Sequence, residues 1–157
     1  MDELDRKLLA LFTAEPKIGV LAASRRLGVA RGTVQARLDR LEREGVISGW
    51  APRLDPAAMG YPVTGFLTLE IRQGAGHEVV AARLAKIPEV LEAHTITGAG
   101  DMWVRVVAGS NADLQRVIDL VIADKHVERS TTVIALATQV RYRVLPLASA
   151  PSTPRTP

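Results

Sequence analysis

Gly28 stands between two short stretches of helical periodicity, and no other feature of the chain limits its fold so tightly. Before it, Val20, Ala23 and Leu27 share one face of a helix running from about Gly19 to Leu27. After it, Val34, Leu38 and Leu41 recur at i, i+4 and i+7 along a helix from about Arg31 to Glu44. Ala23 and Ser24 are small enough for the second helix to cross the first closely. Gly28 supplies the backbone freedom that a sharp turn between them needs, and Val29 plugs the gap. Gly45 is a natural stop. A leading helix over about residues 2–14 carries Leu4, Leu8, Leu11 and Phe12 at helical spacing and begins with Asp2 and Glu3. Pro16 ends it. Gly19 and Ala30 occupy the cap positions where serine or threonine is expected, which costs each helix start roughly 0.5–2 kcal/mol, less for the glycine.

The outward side of the Arg31–Glu44 helix carries Arg31, Thr33, Gln35, Ala36, Asp39, Arg40 and Arg43. Three short helices in this order form a helix-turn-helix unit, in which the start of the last helix enters the DNA major groove. Arg31, Gly32, Thr33, Gln35 and Ala36 then face the bases. Arg25, Arg26, Arg37, Arg40 and Arg43 face phosphates, contacts that position without specifying. The plainer reading of the same arginines is a solvated face, with Asp39, Glu42 and Glu44 pairing at helical spacing.

A chain of 157 residues holds one domain or two small ones, and a hydrophobic share of 47% is ample for packed cores. No apolar run is long enough to span a bilayer. Asp2, Glu3, Asp5, Arg6 and Lys7 interrupt any signal-peptide pattern. The absence of cysteine removes disulfide frameworks and thiolate metal sites, in keeping with a cytoplasmic protein. The net charge of +3 is mild, so basic character is local, and DNA binding through it is expected to depend strongly on salt.

Val46–Leu54 reads as a strand or short wing, Asp55-Pro56 opens a turn, and Met59-Gly60-Tyr61-Pro62 punctuates a linker. The expected organisation is a helix-turn-helix domain over 1–54, a linker over 55–62 and a second domain over 63–147. A tail over 148–157, rich in Pro, Ser and Thr, is expected to be disordered. The second domain changes period. Phe66–Arg72 alternates as a strand; His77–Ile87 is a helix stopped by Pro88; Val90–Thr97 and Met102–Ala108 are strands joined by Gly98-Ala99-Gly100-Asp101. Asn111–Ile122 is a helix with Asn111 as N-cap and Leu114, Val117, Ile118, Val121 and Ile122 as its stripe. Val127–Ala137 is a long strand, and Gln139–Leu145 adds a further one. Strand, helix, strand, strand, helix, strand is the ferredoxin-like order. Both helices then lie on one face, and Val104, Val106, Ile134 and Leu136 suggest that the other is apolar enough to pack on a second copy.

The Gly98–Asp101 turn has a physical case as an amino-acid site. Its glycines let a ligand approach the backbone, successive amides can cradle a carboxylate, and Asp101 can accept from an ammonium. An ordinary hairpin turn is the alternative. Ser130, Thr131 and Thr132 are candidate hydroxyl donors or plain strand formers. His77, His94 and His126 are too scattered for a metal site. No nucleophile–base pair, P-loop or dinucleotide fingerprint occurs, so neither catalysis nor a cofactor is expected. Trp50 and Trp103 read as packing residues.

In order and spacing, Leu4-Asp5, Leu27-Gly28-Val29, Arg37 with Arg40-Leu41-Glu42, Gly45-Val46-Ile47-Ser48-Gly49-Trp50, Leu54-Asp55-Pro56, Met59-Gly60 and Gly98-Ala99-Gly100-Asp101 resemble the Lrp/AsnC, or feast/famine, regulators. The resemblance spans Leu4 to about Pro146. It implies an α+β chain, a winged helix-turn-helix followed by a ferredoxin-like βαββαβ domain, acting as a transcriptional regulator on double-stranded DNA. It also implies homodimers assembling further, often to octamers, and an amino-acid effector held between dimers. By this resemblance the effector site comprises Gly98, Ala99, Gly100 and Asp101 with the strands beside them, which brings in Met102 and Trp103; Ser130, Thr131 and Thr132 are read as hydroxyls added from a nearby strand or a neighbouring subunit. The chain departs from the family pattern at Ala30, where the recognition helix usually starts with serine, at Ala23, and at Met102-Trp103, where an aromatic usually follows the turn aspartate. Two other readings are an architectural protein that coats DNA without an effector, and a ferredoxin-like enzyme with an accessory helical domain.

Overall fold

The computed structural model describes residues 1–72, 74 and 76–149. The chain divides into two compact units, Leu54–Gln139 and a unit made of Met1–Arg53 with the stretch from Val140 onward.

The first unit contains α1 (Glu3–Ala14), α2 (Val20–Leu27) and α3 (Arg31–Arg43). Leu8, Phe12, Ala23, Val34 and Leu38 form its buried core, with Leu4, Leu11, Val20, Leu27, Val29 and Ile47 packed at the margin. The apolar spacing read from sequence therefore meets in one place. Asp2 caps α1: its side chain accepts from the Asp5 N–H, and the Asp5 carboxylate accepts from the Asp2 N–H, each at 2.9 Å, a reciprocal capping box. As expected, α2 and α3 start at Gly19 and Ala30 without any side-chain cap. Gly28 closes α2 in the left-handed conformation, φ 67°, which a side chain would adopt only under strain.

Val46–Leu54, read as a strand or short wing, forms no strand: residues 46–55 are irregular. The expected strand over Gln139–Leu145 is likewise absent. Residues 141–144 have no regular structure, and α6 (Leu145–Ser149) follows. Val140, Tyr142 and Val144 alternate as a strand would, yet all three are exposed, and among the described residues no strand lies beside them. The sequence reading carried the second domain to residue 147, whereas residues from Val140 group with the first unit. Of the expected tail, Ala148 and Ser149 belong to α6, and 150–157 lie outside the described residues.

The second unit is ferredoxin-like. It runs β1 (Val63–Ile71), α4 (His77–Leu84), β2 (Val90–Thr95), β3 (Met102–Ala108), α5 (Asn111–Ile122) and β4 (Val127–Ile134). The sheet order is β2-β3-β1-β4, with every neighbouring pair antiparallel. Each strand–helix–strand passage thus spans one intervening strand, which leaves both helices on one face. Beneath them lie Leu67, Leu69, Val80, Leu84, Met102, Val104, Val106, Leu114, Val117 and Val121. Ser110, not Asn111, caps α5, its hydroxyl accepting from the Asp113 N–H at 3.0 Å.

The alternation of β1 and β3 corrects one expectation. Val104 and Val106 are fully buried and share the helix side with Leu67 and Leu69, so they are not on the open face. That face carries two cross-strand rows, Glu92–Arg105–Phe66–Val133 and His94–Trp103–Thr68–Thr131.

Candidate DNA-binding and effector sites

The exposed side of α3 presents Arg31, Gly32, Thr33, Gln35, Ala36 and Arg43 to solvent. Gln35 donates to Asp39 Oδ1 at 2.7 Å, one turn along. From α2, Arg25 and Arg26 are also exposed, and Arg26 pairs with Glu15. Arg25, Arg31 and Arg43 make no ion pair among the described residues.

Arg37 and Arg40 are placed differently. Arg37 Nη1 reaches Asp2 Oδ2 at 2.5 Å and Asp5 Oδ1 at 2.8 Å. Arg40 Nη2 donates to both Asp5 oxygens, at 2.7 and 2.6 Å. Asp5 has no solvent exposure. Burial alone would push its carboxyl up, but the Asp2 N–H and the two guanidinium groups outweigh that and hold it below the usual carboxylate range. Arg37 and the Asp5 N–H bring Asp2 down to about 2. The sequence reading missed this pair of acids. The available signal was Asp2 and Asp5 at capping-box spacing, opposite two arginines three positions apart on the third helix.

In the second unit, the turn after β2 has Gly98 at φ 102° and Gly100 at φ 99°. A Cβ on Gly100 would lie 2.4 Å from Thr68 Cγ2 and 3.2 Å from the Leu69 carbonyl oxygen, so both the conformation and the close approach to β1 require glycine. The Asp101 N–H donates to the Leu69 carbonyl at 2.8 Å, and Asp101 Oδ2 accepts from the Ile71 N–H at 2.6 Å. The Asp101 carboxylate thus ties the turn to the end of β1 and leaves Oδ1 unbonded. Among the described residues the N–H groups of Gly98, Ala99 and Gly100 make no hydrogen bond.

The other expected effector residues do not converge. Met102 is 2% exposed and belongs to the core. Trp103, on the opposite side of β3, stacks on Phe66 with centroids 5.1 Å apart and leans on His94 at 5.8 Å. Ser130 and Thr132 pair with Leu69 and Leu67 on the helix side, whereas Thr131 pairs with Thr68 on the open face. Phe66 was not singled out from sequence and His94 was weighed only as a metal ligand, although strand alternation places Phe66 opposite Leu67.

A helix-turn-helix unit with an exposed, arginine-bearing last helix, carried on one chain with a ferredoxin-like unit that presents a glycine turn, defines a DNA-binding regulator with a ligand-binding domain. Residues 64–145 match the Lrp/AsnC ligand-binding domain, and residues 1–48 match a winged helix-turn-helix DNA-binding domain. The chain belongs to the Lrp/AsnC family of transcriptional regulators. It is 31% identical to the HTH-type transcriptional regulator FL11 of Pyrococcus horikoshii, over 94% of this chain and 97% of that protein. The fold of Escherichia coli AsnC superposes with a TM-score of 0.85 at 24% identity, covering 93% and 99% of the two chains. The feast or famine regulatory protein of Mycobacterium tuberculosis, solved in complex with L-methionine, superposes at 0.80 with 26% identity, covering 91% and 97%. No helix among the described residues is long and apolar enough to cross a membrane, and none of their His, Asp or Glu side chains group in a way that could hold a metal.

Proposed function

We propose that this regulator reads double-stranded DNA through the outward face of α3 and answers to a free amino acid at the Gly98–Asp101 turn. The observation that carries the first half is the outward face itself. Thr33, Gln35 and Ala36 sit near the start of α3, free of the core, with Arg31 on the same helix and Arg25 on α2 beside them. Side chains at the start of a recognition helix meet base edges, and flanking arginines meet phosphates. Arg26 and Arg43 extend the basic flank.

The effector half rests on the three unbonded N–H groups at 98–100, which can receive a carboxylate, and on Asp101 Oδ1, which can accept from an ammonium. The two ends of a zwitterion are matched within one turn. The L-methionine complex of the mycobacterial relative supports an amino acid as the class of ligand. Trp103 and Thr131, on the open face, are the expected effector residues placed to shape its side chain; Met102 is withdrawn into the core. The Phe66–Trp103 face favours a homodimer, and dimers joining further toward an octamer would place the turn at a contact between them. A ligand bound there shifts assembly only if it prefers one arrangement.

The test is DNA binding followed by anisotropy while each of the twenty amino acids is titrated. One amino acid should change the apparent affinity in a dose-dependent manner, and the change should vanish in Asp101→Ala. A flat response to all twenty would favour a protein that coats DNA without an effector.

A further inference from the structure

Both oxygens of the buried Asp5 carboxylate are fully occupied. Oδ1 accepts from Arg37 and Arg40, and Oδ2 accepts from Arg40 and from the Asp2 N–H. Arg37 is further tied to Asp2, the residue that caps α1. The two arginines stand three positions apart on α3, on the flank between its buried stripe and its outward face. They form two anchor points almost one turn apart along the helix axis, and both lead to the start of α1. Swinging either guanidinium out to a DNA phosphate would leave a fully buried carboxylate short of its partners, which is strongly unfavourable.

We propose that Asp5 is a positioning residue for DNA recognition. It fixes the rotation of α3 about its own axis through Arg37 and Arg40, and these two arginines do not contact phosphate. The proposal rests on the reading that the outward face of α3 binds DNA. The rotation of α3 decides where Thr33 and Gln35 point, so Asp5 acts on sequence preference through the flank of the helix, without touching DNA.

Counterion release separates the two roles of an arginine. Removing an arginine that neutralises a phosphate lowers the slope of log K against log salt by about 0.9, whereas removing one that only positions the helix leaves the slope unchanged. The experiment measures that slope, and the ratio of affinities for a duplex selected by the wild-type protein from a random library over its scrambled counterpart. The variants are Asp5→Asn, Arg40→Gln, Arg40→Lys and Arg43→Gln, each confirmed folded by circular dichroism at the assay temperature. Arg40→Gln and Asp5→Asn are expected to keep the wild-type slope while the selected-over-scrambled ratio falls at least tenfold, with Arg40→Lys recovering part of it. A slope lowered by about one in Arg40→Gln, with the ratio intact, would overturn the proposal. Should Asp5→Asn fail to fold, the Arg40→Gln and Arg40→Lys pair decides alone. Arg43→Gln checks the underlying reading separately: if its slope matched wild type, the outward face would not be the DNA face, whatever Arg40 did.

Discussion

Asp5 shows what a single side chain can decide in a small helical unit. Its replacement by alanine removes the counter-charge that two guanidinium groups share, leaving Arg37 its contact with Asp2 and Arg40 only Glu44 at 4.0 Å. We expect a loss of roughly 3 kcal/mol, the lower end for breaking a buried pair, because both arginines keep some access to water. Chemical denaturation would show this as a lower midpoint at unchanged slope. Asp2 and Asp5 are both held below their unfolded values. Their contribution is therefore complete above about pH 4 and is lost as the pH falls through their lowered values, about 2 for Asp2. Acid titration of the wild type should show unfolding of the helical unit in that window, and Asp5→Asn should be less stable at neutral pH and flatter across it. Gly100 is equally constrained by a different cause. Gly100→Ala puts a methyl group 2.4 Å from Thr68 Cγ2 at φ 99° and should cost roughly 1–3 kcal/mol, read as a lower melting temperature. The glycines of this turn were legible in the sequence as turn formers. The tie from Asp101 to Ile71 was not, because it joins positions thirty residues apart and depends on strand register.

Elements formed where periodicity was strong and failed where it needed a partner. Val34, Leu38 and Leu41 marked the inner face of α3, and all three are buried. Both helices of the ferredoxin-like unit and all four of its strands were visible as changes of period. What the period could not show was which face of a strand receives the helices. Val104 and Val106 alternate just as Trp103 and Arg105 do, and only the crossover of α4 and α5 decides between the sets. A strand at 46–54 and the last strand were misread for a related reason. Alternating apolar residues at 140–144 predict a strand, but a strand exists only where a second edge is available to it. Packing of α5 offers a direct test. Leu114 is 2% exposed, and its methyl groups lie 3.2 and 3.7 Å from where a Cβ on Gly65 would be. Leu114→Ala should open a cavity and cost roughly 2–5 kcal/mol, while Ser110→Ala should cost about 1 kcal/mol through the missing cap. Thermal unfolding of the two variants would check the order as well as the size.

For the whole molecule, the sheet face opposite the helices is the surface we propose for a homodimer. Its Phe66–Trp103 stack is half-buried in the single chain and continues into exposed Val133. A homodimer built there should be lost in Trp103→Glu, and light scattering at micromolar concentration would show the monomer. A variant that stayed dimeric would move the interface elsewhere. The family and its two units could be read from spaced segments of sequence because glycines and apolar stripes are fixed by local geometry. Which of Met102, Trp103 and the 130–132 hydroxyls share a surface could not, since they project to different sides of their strands.

The chain leaves its DNA-binding unit at Arg53 and comes back to it at Val140, where the apolar Val144 and Leu147 line a shared cavity with Leu9 and Thr13 of α1. The sheet unit is thus an insertion, held at both ends like a bead on a closed string. Its folding draws the two ends of its host together, so part of the loop-closure entropy of the helical unit is already settled once the sheet has formed. A stop after Gln139 would spare every strand, yet the melting transition it lowers should be that of the DNA-binding helices.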